Sequence, residues 1–380
     1  MQGLARVTVV AGLLVAVAAG AGLVTGAVSG ETAPQERAGV SANGDGIWVK
    51  APDRAHSLPI RGRLLINAIQ SVEGEDRVRT YFVMGSSDNL LPAPAVFPDA
   101  DLSPVSDGVV YGDPSPQWPP KERRIFTSRF DGSGSVDLTA RAGLSGVNCM
   151  ASWSSDGKMI AFQHSDPAPG QHPCQAGFRI WVMGADGADA HPVEPQGVRL
   201  DVLRFPRWAP EGNRISADGI GLDITMDIDG GNVDTLMPTR GGADWSPDGS
   251  LIASAGYTWG SLDGKRGVWR QLVIARPDGS NKRVLVQHFV ALADARRHAE
   301  RIAAEGAQAV APTEIQWEIG PRFPRWSPDG SQIAFLAGMP FDPAGPFYRQ
   351  QIEVWIYDLP SGALARVTND NEENRWLSWR

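Results

Sequence analysis

Histidine is the side chain best suited to hold a metal or move a proton near neutral pH, and this chain of 380 residues has six. His164 and His172 stand close together, while His191, His288 and His298 are scattered through later segments. Ligands of a structural metal usually recur at short spacing. These do not, so the sequence predicts neither a metal site nor a cofactor. Asp227-Ile228-Asp229-Gly230-Gly231-Asn232 opens like a calcium loop but lacks the further spaced ligands and the distal bidentate glutamate. There is no Gly-x-Ser-x-Gly elbow and no glycine-rich phosphate loop of the right spacing, so no catalytic residue is assigned. The remaining chemistry is that of binding and of thiols. Trp259, Phe341, Phe347 and Tyr348, with Arg349 beside them, are the residue types that anchor protein interfaces. Cys149 and Cys174 are the two cysteines.

What must position these residues is a repeat. Trp245-Ser246-Pro247-Asp248-Gly249 recurs unchanged at Trp326–Gly330, with one difference at Trp153–Gly157 and more loosely at Trp208–Gly212. Each copy runs into a short apolar stretch, such as MIAF at 159–162 or QIAF at 332–335. Proline presets φ, aspartate tolerates the next turn position, and glycine supplies the positive φ that closes the hairpin. A second signature is a strand-like run ending in an Asp-Gly or Ser-Gly turn. It appears at 178–187, 222–230, 270–279 and 352–362, and in weaker form at 123–132 and 79–89. The tryptophan position extends in the same way, to Val105 ahead of VVY at 109–111 and to Trp379. Both series count six. Two hairpins per repeat make a four-stranded propeller blade. The segment from Arg61 to about Ala95 lacks its tryptophan strand, and the strand at about 375–380 lacks its blade. Joining the two closes the ring. The fold expected is all-β: a six-bladed β-propeller over 61–380, closed by its C-terminal strand, with one helical insertion at about 291–310.

WSPDG followed by IAF, a strand and an ADG turn resembles the WD40-like PD40 repeat of the TolB-like propellers, over roughly residues 61–380. The resemblance implies a fold. Its members serve as docking platforms, accessory domains of peptidases and lyases, and some propeller lyases hold a metal with histidines from several blades. TolB carries an α/β domain ahead of its propeller, and its peptidase relatives a hydrolase domain after it. Neither is read in this chain, so a Tol–Pal role is not expected.

Residues 7–28 form an uninterrupted apolar run after Arg6, long enough to span a bilayer. Ala27-Val28-Ser29 is a small-x-small cleavage pattern. Residues 1–29 are therefore expected to be a signal peptide or an N-terminal anchor, and 30–60 a linker and lead-in. The protein is expected outside the cytoplasm, touching a membrane only through that segment. In an exported protein Cys149 and Cys174 are expected to form a disulfide. The formal net charge of −8 and the lack of a basic stripe argue against nucleic acid.

In a meander blade the WSPDG and ADG turns share one face, so the long segments 166–177, 257–267, 287–322 and 338–350 all fall on the other. Scaffold-borne loops carry function more often than tight turns do. The expectation is a non-enzymatic module that binds a protein or a cell-envelope ligand, of unknown identity, on its long-loop face. The alternative is a lyase or hydrolase acting on polysaccharide or peptide at the central channel.

Overall fold

A computed structural model describes the chain except for residues 1–56, 73–74, 114–121, 168–176, 220–221, 238, 263, 292–319, 339–351 and 369–372. The chain begins with β1 (Pro59–Val72), β2 (Glu75–Ser86) and β3 (Leu90–Pro92). Blade 2 follows as β4 (Asp101–Leu102), β5 (Gly108–Gly112), β6 (Ile125–Arg129) and β7 (Val136–Asp137), trailed by one helical turn, α1 (Leu138–Arg141), capped by the Asp137 carboxylate. Blade 3 is β8 (Val147–Trp153), β9 (Met159–Ser165), β10 (Arg179–Gly184) and β11 (His191–Val193). Blade 4 is β12 (Arg204–Trp208), β13 (Arg214–Asp218), β14 (Asp223–Asp227) and β15 (Asp234–Met237). Blade 5 is β16 (Thr239–Trp245), β17 (Ile252–Leu262), β18 (Lys265–Ala275) and β19 (Arg283–Ala291). Blade 6 is β20 (Pro321–Trp326), β21 (Gln332–Gly338), β22 (Ile352–Asp358) and β23 (Leu364–Arg366). Last comes β24 (Glu373–Trp379), which pairs antiparallel with β1 and completes blade 1 as β24-β1-β2-β3.

The six first strands touch in ring order, β24 to β4 to β8 to β12 to β16 to β20 and back to β24. The ring closure read from the sequence is therefore the one observed. The turns behave as their residues dictate. In each of the two WSPDG copies, glycine donates its N–H to the serine carbonyl at 2.9 Å, with φ of 70° at Gly249 and Gly330. The serine hydroxyl caps the aspartate at 2.6 Å in Ser246–Asp248 and 2.7 Å in Ser327–Asp329. Blade 2 corrects one assignment. Leu102, paired with Val109, occupies the tryptophan position, and Val105 is 63% exposed within the turn. Ser103-Pro104 and Asp107-Gly108 are the two halves of the motif, split by a two-residue insertion.

Blades lock through their tryptophans. Trp208 donates its indole N–H to the Ser152 carbonyl at 3.0 Å, and Trp326 to the Asp244 carbonyl at 3.2 Å, each acceptor lying on the preceding blade. The backbone N–H groups of Trp153 and Trp326 donate to the carboxylates of Asp101 and Asp244 at 3.0 and 2.8 Å. Apolar clusters fill the spaces between neighbouring sheets. The segment 257–267, expected as a loop, is instead a strand pair. β17 and β18 run on to a Leu262–Lys265 closure, and Trp269 covers the backbone of Gly260.

Candidate functional site

The innermost strands of blades 3 to 6 each break register three residues before the tryptophan position. Met150, Phe205, Gly242 and Phe323 stand there with φ of 55°, 54°, 73° and 49°. Asp99 (φ 49°) holds the equivalent place ahead of β4. A left-handed residue in a strand is a bulge, which bends the strand and re-aims its side chains. It is a strained choice for phenylalanine. The result is contact across the ring axis. Phe205 lies with its ring centroid 5.0 Å from Phe323 and 5.9 Å from Trp376, and Phe323 lies 5.3 Å from Trp376. Gly242 makes room, since a Cβ there would fall 3.0 Å from that of Phe205.

Guanidinium groups bracket this aromatic cluster. Arg204 lies over Phe205 at 5.2 Å and bonds the buried Asp218 carboxylate at 3.0 Å, and Arg322 lies over Phe323 at 5.9 Å. On the side nearer the WSPDG turns, Arg207 and Arg325 lie over the Trp376 indole at 4.9 and 4.7 Å, each only 2% exposed. They belong to a buried belt one residue before the tryptophan position: Ser378, Asp101, Ser152, Arg207, Asp244 and Arg325 from blades 1 to 6. Asp101 accepts from Arg207 at 3.1 Å, Ser378 at 2.7 Å and the Trp153 N–H, and Arg380 stands 3.6 Å away. Burial alone would raise its pKa. Arg207 and Arg380 outweigh that and hold the carboxyl below the ordinary range.

The residues singled out in the sequence are dispersed. Trp259 is 61% exposed on the β17 extension, where register places it on one face with Tyr257, Val268 and Arg266. Arg270 lies over the Tyr257 ring at 5.6 Å. Phe341, Phe347, Tyr348, Arg349, Cys174, His172, His298 and the 291–310 helix lie outside the described residues, apart from Ala291, which ends β19. Cys149 is buried in β8 and accepts from the Gln163 amide at 3.2 Å. His164 is held between Asn148 at 2.8 Å and Asp166 at 3.0 Å, and His191 is exposed. Among the described residues no three His, Cys, Asp or Glu side chains gather within reach of one ion. The 227–232 segment is a hairpin turn, with Asn232 donating to Asp227 at 2.7 Å. What sequence reasoning missed is the axial cluster, although its signal is plain. RFPRW stands at both 204–208 and 322–326, and RWLSW at 375–379 puts Arg, an aromatic ring and Trp at the same spacing.

These features define a six-bladed β-propeller with WSPDG turns, closed by its own C-terminal strand. Among solved structures the chain is similar to a putative TolB from Agrobacterium tumefaciens, at 16% identity and a TM-score of 0.47, over 84% of this chain and 91% of that one. It is also similar to the periplasmic gluconolactonase of Pseudomonas aeruginosa, at 14% identity and a TM-score of 0.43, over 83% and 98%. An oligogalacturonate lyase from Vibrio parahaemolyticus matches at 9% identity and a TM-score of 0.40, over 83% and 74%. No family model and no curated protein matches the chain.

Proposed function

We propose that this propeller is an extracytoplasmic binding module that takes a protein or cell-envelope ligand on the face opposite its WSPDG turns. The observation that carries the reading is the projecting β17–β18 ribbon, which presents Trp259 to solvent with Tyr257 and Arg266 on the same face. An exposed tryptophan flanked by an arginine is the composition of an interface anchor, and it favours a partner that is apolar with acidic neighbours. The apolar run at 7–28 supports export. No helix among the described residues is long and apolar enough to cross a membrane. A substrate threaded along the axis is disfavoured, because Phe205 and Trp376 meet there.

The test is capture from envelope extracts by the full chain and by Trp259→Ala. Loss of an interface anchor costs at least about 2 kcal/mol, roughly 30-fold in affinity. Equal capture of the same partner by both proteins would sink the reading.

A further inference from the structure

Among the described residues, the buried axial belt holds more cationic donors than its carboxylates occupy. Arg207, Arg325 and Arg380 face Asp101 and Asp244, three guanidiniums against two carboxylates. Asp101 is already approached by Arg207, Arg380, Ser378 and the Trp153 N–H, close to the full acceptor capacity of a carboxylate. Asp244 accepts from the Trp326 N–H. Arg325 spends Nε on the Leu377 carbonyl at 2.9 Å and Nη1 on the Pro324 carbonyl at 2.6 Å. Its Nη2, together with Nε and Nη2 of Arg207, is buried and has no hydrogen-bond partner among the described residues. Uncompensated charge is among the costliest things a protein can bury.

We propose that these donors bind a small monovalent anion, of chloride or formate size, in the axial belt beneath Trp376. The reading goes beyond the docking function and uses the other side of the ring. The Trp376 π face stacks against both guanidiniums but carries no net negative charge, and its indole N–H is itself a donor, bonded to the Ala100 carbonyl at 3.1 Å. Arg380, 35% exposed, is the belt's link to solvent at the WSPDG-turn side. Burial and the neighbouring Arg207 charge disfavour the protonated form of Arg325, the strain a bound anion would relieve.

Thermal unfolding of the full chain in sodium chloride, sodium formate and sodium gluconate, at constant total salt, tests this. Gluconate serves as the bulky-anion control. A ligand bound only by the native state raises Tm in a saturable way, by about 2–4 °C at tenfold excess over Kd. The expected result is that rise with chloride or formate over gluconate, and its loss in Arg325→Met and Arg207→Met. Bromide should also appear in the belt of crystals of the unmodified chain, which decides the matter should either variant fail to fold. Equal Tm in all three salts, or an excess unchanged in Arg325→Met, would overturn the proposal and leave the donors to water.

Discussion

Phe205 and Trp376 belong to diametrically opposed blades, 4 and 1, and their ring centroids are only 5.9 Å apart. A six-bladed ring brings its innermost strands close enough for two aromatic side chains to bridge it. At this level the axis is a packed core, and the blades are tied across the centre as well as around the rim.

That contact sets a first prediction. Phe205 is half-buried, so Phe205→Ala should cost about 2 kcal/mol, below the range for a fully buried phenylalanine. Its φ of 54° adds a second comparison. Glycine occupies that region without strain, so Phe205→Gly should be about 1 kcal/mol more stable than Phe205→Ala. Urea denaturation of the two variants checks both the cost and the order.

A second prediction concerns acid. The folded-state pKa of Asp101 lies below its ordinary value. Its contribution to stability is therefore fully present above the unfolded carboxylate pKa of about 3.9, and is lost as pH falls through the lower folded value. Asp101→Asn strips a charged partner from buried Arg207 and should cost about 3 kcal/mol at pH 7. Its stability should then fall less steeply than that of the unmodified protein below about pH 4. Denaturant midpoints from pH 2 to 7 measure this, and parallel curves would contradict it.

The clasp is the third target. Gly62 has φ of 81°, and a Cβ there would overlap the Arg380 carbonyl, which accepts from Arg63 N–H at 2.6 Å. Gly62→Ala should loosen the β24–β1 pairing, costing about 2 kcal/mol or more. Hydrogen exchange should then quicken first in 373–379, ahead of the other innermost strands.

Mass spectrometry of the non-reduced protein checks the fourth. A Cys149–Cys174 bond should lower the mass by about 2 Da and, by the loop-entropy model, add about 3 kcal/mol of stability. An unchanged mass after alkylation control would refute it.

Much of the architecture could be read from the turns, because WSPDG fixes local dihedrals that do not depend on the rest of the fold. Trp379 as the closing strand followed from setting that series against the second turn series, which leaves the first blade one strand short. Val105 was misplaced because the split motif Ser103-Pro104…Asp107-Gly108 keeps its turn residues while shifting their spacing. The 257–267 ribbon is expected as a long loop because it falls between the WSPDG and Asp-Gly turns of its blade, although Asp263-Gly264 between Leu262 and Lys265 is hairpin chemistry. The axial cluster went unread for a different reason. Reading forward from each tryptophan ignores the Arg-aromatic pair behind it, and only a bulge converts that pair into a contact across the ring.

The pairing of β24 with β1 also sets an order in time. Trp379 donates its indole N–H to the carbonyl of Arg61, 318 positions earlier, at 2.9 Å. Contacts of such separation form slowly. Five blades can assemble as the chain emerges, each against the one before, while the first waits with an open edge. Until residues 373–379 arrive, β1 offers unpaired N–H and C=O groups to any neighbouring strand. The same short segment that seals the finished ring thus determines how long the unfinished one is open to mispairing.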